Sequence, residues 1–295
     1  PVLIEKKTRE SLKETMQQNY AFISEEMQRS DWFSVYINSF VSQYDPNTSY
    51  LDPESKDRFD VDMSGNYAGI GARLQKKIDK VEITEVISGG PAWRDNILEK
   101  GDAILKVRQD NQDEPVGILN MRLTEAVKLI KGKKGTKVHL TIKKVDGSIS
   151  EVTVKRDIVL LEETYIRSSI VEKDNNNFGI INIPKFYIDF DNQSNRDAAK
   201  DLRSEIERLK EQSIKGLVID LRNNGGGSLK TVVDMAGMFI KNGPVVQVKY
   251  ADKEKQVLSD RDRSIIWKGP LVILVNEGSA SASEILAAAM QDYKR

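Results

Sequence analysis

Between residues 1 and 44 the apolar side chains recur at helical spacing. Leu12, Met16, Tyr20 and Ile23, with Asn19, fall near one stripe, and Trp32, Val35, Tyr36, Phe40 and Tyr44 near another. Two helices are expected, with Asp31 capping the second and Ser30 as the competing cap. Asp45-Pro46-Asn47-Thr48-Ser49 breaks the pattern as a turn. Residues 52–66 are rich in charge, end in Ser64-Gly65-Asn66 and read as a linker.

From Tyr67 to about Asp157 the pattern changes to short alternating runs. Val81 to Ile87, Ala103 to Val107 and Lys137 to Lys143 read as strands, and Asp146-Gly147 as the hairpin turn before a partner strand from Ile149 to Val154. Thr124 to Ile130 reads as a helix capped by Thr124. After about Leu161 the pattern becomes α/β. Phe178–Ile183, Leu217–Leu221 and Pro270–Val275 are expected as buried strands, separated by helices over Ala198–Lys210 and Leu229–Ile240 and followed by one over Ser283–Tyr293. Sequence repeats and low-complexity tracts are absent.

Composition narrows the function classes. The 295 residues carry 45 basic and 45 acidic side chains, so no basic field for nucleic acid or an anionic membrane is expected. No apolar run approaches the length of a membrane span, and Pro1 to Glu10 do not resemble a signal peptide. With no cysteine there is no disulfide, thiolate metal site or cysteine nucleophile. The single histidine, His139, falls on the polar phase of its strand, opposite Val138, Leu140 and Ile142. An outward His139 leaves no Ser-His-Asp triad and no histidine metal site, so a serine hydrolase here needs another base, with lysine the usual substitute.

Three segments can carry chemistry. Leu271 to Leu286 is a strand, a small-residue turn Ser279-Ala280-Ser281-Ala282-Ser283 and a helix, a setting that suits an exposed nucleophile at the positive end of a helix dipole. The same serines, followed by Glu284, equally suit helix capping. Asp220-Leu221-Arg222-Asn223-Asn224-Gly225-Gly226-Gly227 follows a buried strand, and its glycines can expose N–H groups for an oxyanion. A flexible loop is the plain alternative, and a phosphate loop lacks its Gly-Lys-Ser/Thr. Gly69-Ile70-Gly71, leading into a strand, can present N–H groups to a peptide carboxylate, although such glycines also occur in ordinary turns.

Gly69-Ile70-Gly71, Ser88-Gly89-Gly90-Pro91-Ala92 and Leu98-Glu99-Lys100-Gly101-Asp102 together resemble a PDZ domain. Asp45-Pro46 with Ser49-Tyr50-Leu51 ahead of it, and the Asp220–Gly227 and Ser279–Glu284 segments after it, resemble the carboxy-terminal processing (tail-specific) protease family in the family's order. The resemblance implies a multidomain α+β protein: a helical N-terminal region and linker over 1–66, a PDZ-like peptide-binding domain over 67–157, and a crotonase-like α/β serine protease core over 158–295. It implies Ser281 as nucleophile, the backbone N–H groups of Gly226 and Ala282 as oxyanion hole, and Gly69, Ile70 and Gly71 as the carboxylate-binding loop. It implies no cofactor or metal, protein substrates with apolar C-termini, and an exported, periplasm-type location. The family's lysine base follows the serine after the helix and the next strand, a position beyond Arg295, so this chain is expected to be an inactive, C-terminally incomplete piece. Lys268 and Lys294 are each about 20 Å from Ser281 along strand or helix, too far to replace it. The alternative reading is a non-catalytic PDZ-type adaptor that binds peptides without cutting them. No residue pattern indicates an oligomeric state.

Overall fold

The computed structural model describes residues 2–21, 23–24, 27–77, 80–192, 196–251 and 253–295. The two apolar stripes form helices α1 (Val2–Ala21) and α2 (Arg29–Tyr44). Gln28, not Asp31, holds the N-cap of α2; Asp31 sits in the first turn, where its Oδ2 accepts from Gln28 N–H at 2.8 Å. A carboxylate there satisfies an orphan amide from inside the helix. The expected linker contains a third helix, α3 (Pro53–Ser64). Asp52 Oδ1 accepts from the N–H groups of Glu54 and Ser55 at 3.0 Å, Pro53 takes the first helical position, and Gly65 closes the end at φ 69°. Its high charge masked a helix whose punctuation is orthodox at both ends.

A β-rich unit follows: β1 (Asn66–Gly69), β2 (Ala72–Lys77), β3 (Lys80–Val86), α4 (Pro91–Arg94), β4 (Ala103–Gln109), β5 (Val116–Gly117), α5 (Leu123–Ile130), β6 (Lys137–Lys143), β7 (Ile149–Lys155) and β8 (Asp157–Leu160). Strands pair in the order β2-β3-β4-β6-β7 with β5 against β4, all antiparallel, while β1 pairs with β8. Val138, Leu140 and Ile142 are buried as their alternation requires. His139, on the other face, lies 2.8 Å from Thr153 Oγ1 and 3.2 Å from Asp110 Oδ1. Helix α5 begins one residue before the expected cap; Thr124 lies inside it, and its buried hydroxyl has no hydrogen-bond partner. Buried Arg156 donates to the carbonyls of Leu129 and Ile130, closing the C-terminus of α5.

The second unit contains β9 (Arg167–Lys173), β10 (Asn176–Asn182), α6 (Ala198–Glu211), β11 (Gly216–Asp220), α7 (Leu229–Gly237), β12 (Gly243–Val248), β13 (Gln256–Asp260), β14 (Leu271–Leu274) and α8 (Ala282–Asp292). The amphipathic face of α6 buries Leu202, Ile206 and Leu209 completely. Each such side chain contributes about 1.5–3 kcal/mol relative to exposure. One apolar cluster runs through this unit from Tyr165 to Met290, and another through the β-rich unit from Ile70 to Val154.

The crotonase-like α/β core expected from the sequence is not what forms. The sheet has four strands in the order β14-β11-β10-β9; β14, β11 and β10 are parallel, and β9 turns back antiparallel to β10. Strands β12 and β13 pair as a separate ribbon. Buried runs such as Leu217–Leu221 announce central strands, but β9 is almost wholly exposed and carries no such signal. Periodicity reports which segments are buried and is silent on which edges pair.

Candidate active site

Parallel pairing of β11 with β14 brings the carboxyl ends of both strands to one edge of the sheet, where loops of open α/β sheets build sites. The loops are tied to each other. Asn223 N–H donates to Asn276 Oδ1 at 2.8 Å, and Asn276 Nδ2 donates back to Asn223 Oδ1 at 2.9 Å. Asn224 is fully buried. Its Nδ2 donates to the Ile183 carbonyl at 2.7 Å, and its own carbonyl accepts from Ala280 N–H at 3.0 Å and Ser283 Oγ at 2.9 Å. Asn224 therefore fastens three chain segments, a role that sequence reading missed. The only signal was a pair of asparagines between a buried strand and glycines.

The fold separates the three serines of the turn. Ser279 Oγ donates to the Leu221 carbonyl at 2.8 Å and accepts from Asn276 N–H at 2.9 Å. Ser283 is buried and committed to Asn224. Ser281 between them is exposed and holds the N-cap position of α8, so the capping and nucleophile readings fall on one residue. Its backbone lies at φ 53°, ψ −112°, a conformation that costs about 1–3 kcal/mol for a residue with a side chain. Such a strained strand-to-helix turn lifts a hydroxyl clear of the sheet. Ser281 N–H donates to Glu284 Oε2 at 2.6 Å, which anchors the turn to the helix.

Gly226, Ala282 and Ser281 are brought together. At φ 109°, Gly226 presses on the serine turn so closely that a Cβ there would stand 3.2 Å from Ala282 N. Ala282 is the first residue of α8, where an N–H lacks an intrahelical acceptor. Gly226 N–H donates to Asn224 Oδ1 at 2.8 Å, so offering it to an oxyanion requires exchanging that bond. At the same edge the Arg222 guanidinium, 2.7 Å from Asp220, holds the Asp220 carboxyl below the usual carboxylate range. No lysine or histidine is hydrogen-bonded to Ser281 Oγ among the described residues. Arg295, beyond the far end of α8, donates to the Trp267 carbonyl at 2.9 Å, which places the neighbourhoods of Lys268 and Lys294 at the opposite end of α8 from Ser281.

The Gly69-Ile70-Gly71 loop belongs to the other apolar cluster, and Ile70 is buried. The Ile70 carbonyl accepts from Ala92 N–H and the Gly71 carbonyl from Ile87 N–H, both at 2.9 Å. Gly71, at φ 80°, packs so tightly that a Cβ would come within 3.0 Å of Gly90 Cα. The loop is thus clasped by the Ser88–Ala92 turn. It feeds β2, an edge strand that among the described residues pairs with β3 alone and is flanked by α5, which leaves one side of β2 open to strand addition. Among the described residues, no group of three or more His, Cys, Asp or Glu is placed to hold a metal ion, and no helix is long and apolar enough to cross a membrane.

Comparison with known proteins finds three family models along the chain. Residues 177–295 match Peptidase family S41, residues 59–143 a PDZ domain, and residues 2–54 the tail specific protease N-terminal domain. The chain is 39% identical over 266 residues to the tail-specific protease of Haemophilus influenzae, covering 90% of this chain and 37% of that protein. It is 34% identical over 249 residues to the carboxy-terminal processing protease CtpA of Bacillus subtilis, covering 84% of this chain and 49% of that protein. The chain therefore spans half or less of the length of these relatives. A solved structure of the photosystem II D1 C-terminal processing protease aligns with 95% of this chain and 72% of its own, at 23% identity and a TM-score of 0.45. An S41 peptidase unit with a PDZ domain thus stands where a crotonase-like core was expected. The chain belongs to the tail-specific (C-terminal processing) S41 protease family and carries an embedded PDZ domain.

Proposed function

We propose that the full-length protein is a serine endopeptidase that captures apolar C-terminal tails in its PDZ unit and cleaves by acyl-enzyme chemistry at Ser281. The observation that carries this reading is the sorting of the serine turn: Ser279 and Ser283 are spent on backbone carbonyls, while Ser281 alone is exposed on a strained turn against Gly226. Ser281 Oγ attacks the scissile carbonyl, and its proton passes to a lysine base that the β14–α8 unit does not contribute. The oxyanion is stabilised by Ala282 N–H and by Gly226 N–H once the latter leaves Asn224 Oδ1. Three working parts follow: helices over 1–66, peptide capture over 67–157 and catalysis over 158–295. The family reading also assigns the protein to an exported compartment, which fractionation of cells producing the native-length protein tests.

The decisive experiment is a proteolysis assay on native-length protein with substrates that differ only in their C-terminal tail. Tail-dependent cutting that disappears in Ser281→Ala supports the proposal. Unchanged cutting by that variant would remove Ser281 from the mechanism. Tail binding without any cutting would favour a peptide-binding adaptor.

A further inference from the structure

The charges of the whole chain balance, but they are not spread evenly. On the β-rich unit, α4, the turn leading into β6 and the end of β7 bring together exposed Arg94, Lys133, Lys134, Lys137 and Lys155. These cations surround two hollows of about 460 and 340 Å³ that share Gly135 and Arg156. Asp157 pairs with Arg94 at 2.8 Å and with Lys134 at 3.0 Å, one carboxylate for two cations. Lys133, Lys137 and Lys155 form no ion pair among the described residues. Lys137 and Lys155 are also direct cross-strand partners on β6 and β7, an arrangement in which like charges cost stability. Lys131, at the margin of the set, is engaged over the Tyr67 ring, 4.9 Å from its centroid.

Arg156, common to both hollows, is 3% exposed. Its guanidinium donates to the carbonyls of Leu129, Ile130 and Lys137, to Thr136 Oγ1 and to Gln109 Oε1, all of them neutral acceptors. Its hydrogen bonds are satisfied and its charge is not, although buried charges are ordinarily paired. Next to Arg94 in α4, the Trp93 side chain stands in solvent, 54% exposed. An exposed indole beside a group of cations fits the headgroup layer of a bilayer, with the ring at headgroup level and the cations on the phosphates. We propose that α4, the 133–137 turn and the end of β7 form a docking surface for an anionic lipid bilayer. The lipid phosphates supply the counter-charge that Lys133, Lys137, Lys155 and Arg156 lack. Docking of this kind is peripheral and needs no spanning helix. The inference is independent of Ser281 and of the Gly69–Gly71 loop.

The test is co-sedimentation of the 295-residue chain at low salt with vesicles of phosphatidylcholine alone or of an equimolar phosphatidylcholine–phosphatidylglycerol mixture. Wild type is expected to partition onto the anionic vesicles and not onto the neutral ones. Combining Lys133→Gln, Lys137→Gln and Lys155→Gln should weaken that partitioning by about tenfold or more, because each lysine near an anionic surface is worth about fivefold. A control of equal net charge combines Lys210→Gln, Lys215→Gln and Lys241→Gln, all exposed on the other unit, and should stay within about twofold of wild type. Trp93→Ala should weaken binding severalfold with every charge kept. Thermal melts no lower than wild type show that the first triple variant is folded, since it relieves the Lys137–Lys155 repulsion. Failure of wild type to bind anionic vesicles, or equal losses in the two triple variants, would overturn the proposal. Binding to polyglutamate in preference to vesicles, lost in the first triple variant, would assign the surface to an acidic protein partner and overturn the lipid reading.

Discussion

Gly226 and Ser281 are 55 positions apart (281 − 226) and in direct contact: a Cβ on Gly226 would stand 2.8 Å from the Ser281 Cβ. That contact is closer than side-chain carbons tolerate, and Gly226 also sits at φ 109°. Gly226→Ala should therefore lower unfolding free energy by about 2 kcal/mol or more, from left-handed strain plus the clash. Urea titration of the chain measures it. A variant as stable as wild type would mean that the two loops do not meet this closely.

The serine turn gives a contrast between stability and function. Ser283→Ala removes a buried hydroxyl bonded to the Asn224 carbonyl and should cost about 1–3 kcal/mol. Ser281→Ala removes an exposed hydroxyl and should stay within about 1 kcal/mol of wild type, yet it should abolish cleavage by the native-length protein. Thermal melts and the tail-dependent assay, run on both variants, check the pair. A strongly destabilised Ser281→Ala would make that hydroxyl structural instead.

Asn224 should be the least replaceable polar side chain of the site. Asn224→Ala strands the buried carbonyl of Ile183 and the N–H of Gly226, a loss of about 2–4 kcal/mol. The ordering of the loop around Gly226 should fall with it, visible as faster amide exchange at Gly226 and Ala280. Wild-type exchange at both amides would show that Asn224 does not hold the loop.

Asp157 sets an acid limit on the β-rich unit. Arg94 at 2.8 Å and Lys134 at 3.0 Å hold its carboxyl well below the usual carboxylate range. Because the folded-state value is depressed, the contribution is fully present above the unfolded value of about 3.9 and is lost as pH falls toward the folded one. Asp157→Asn should therefore melt lower than wild type at pH 6, with the gap narrowing as pH drops below about 4. A gap that does not change with pH would assign the effect to packing.

Much of this was legible in order along the chain. Alternation placed Val138, Leu140 and Ile142 inside and His139 on the opposite face, because the strand period is two and burial acts on each face separately. Leu202, Ile206 and Leu209 marked the buried stripe of α6 in the same way. Charge-rich residues 53–64 form a helix that periodicity does not reveal, because its amphipathicity is weak, even though Asp52, Pro53 and Gly65 announce its ends.

Local chemistry along the sequence determined where helices and buried strands lie, and which short segments were equipped for catalysis or peptide capture. Those are questions of periodicity, capping and residue type, settled by neighbours a few positions apart. Tertiary structure alone decided that β9 turns antiparallel, that Gly226 rests on Ser281, that Asn224 joins three segments, and that Lys131 lies half-buried over Tyr67. Each depends on atoms brought together from distant parts of the chain, and their meeting is set by how the layers pack as a whole.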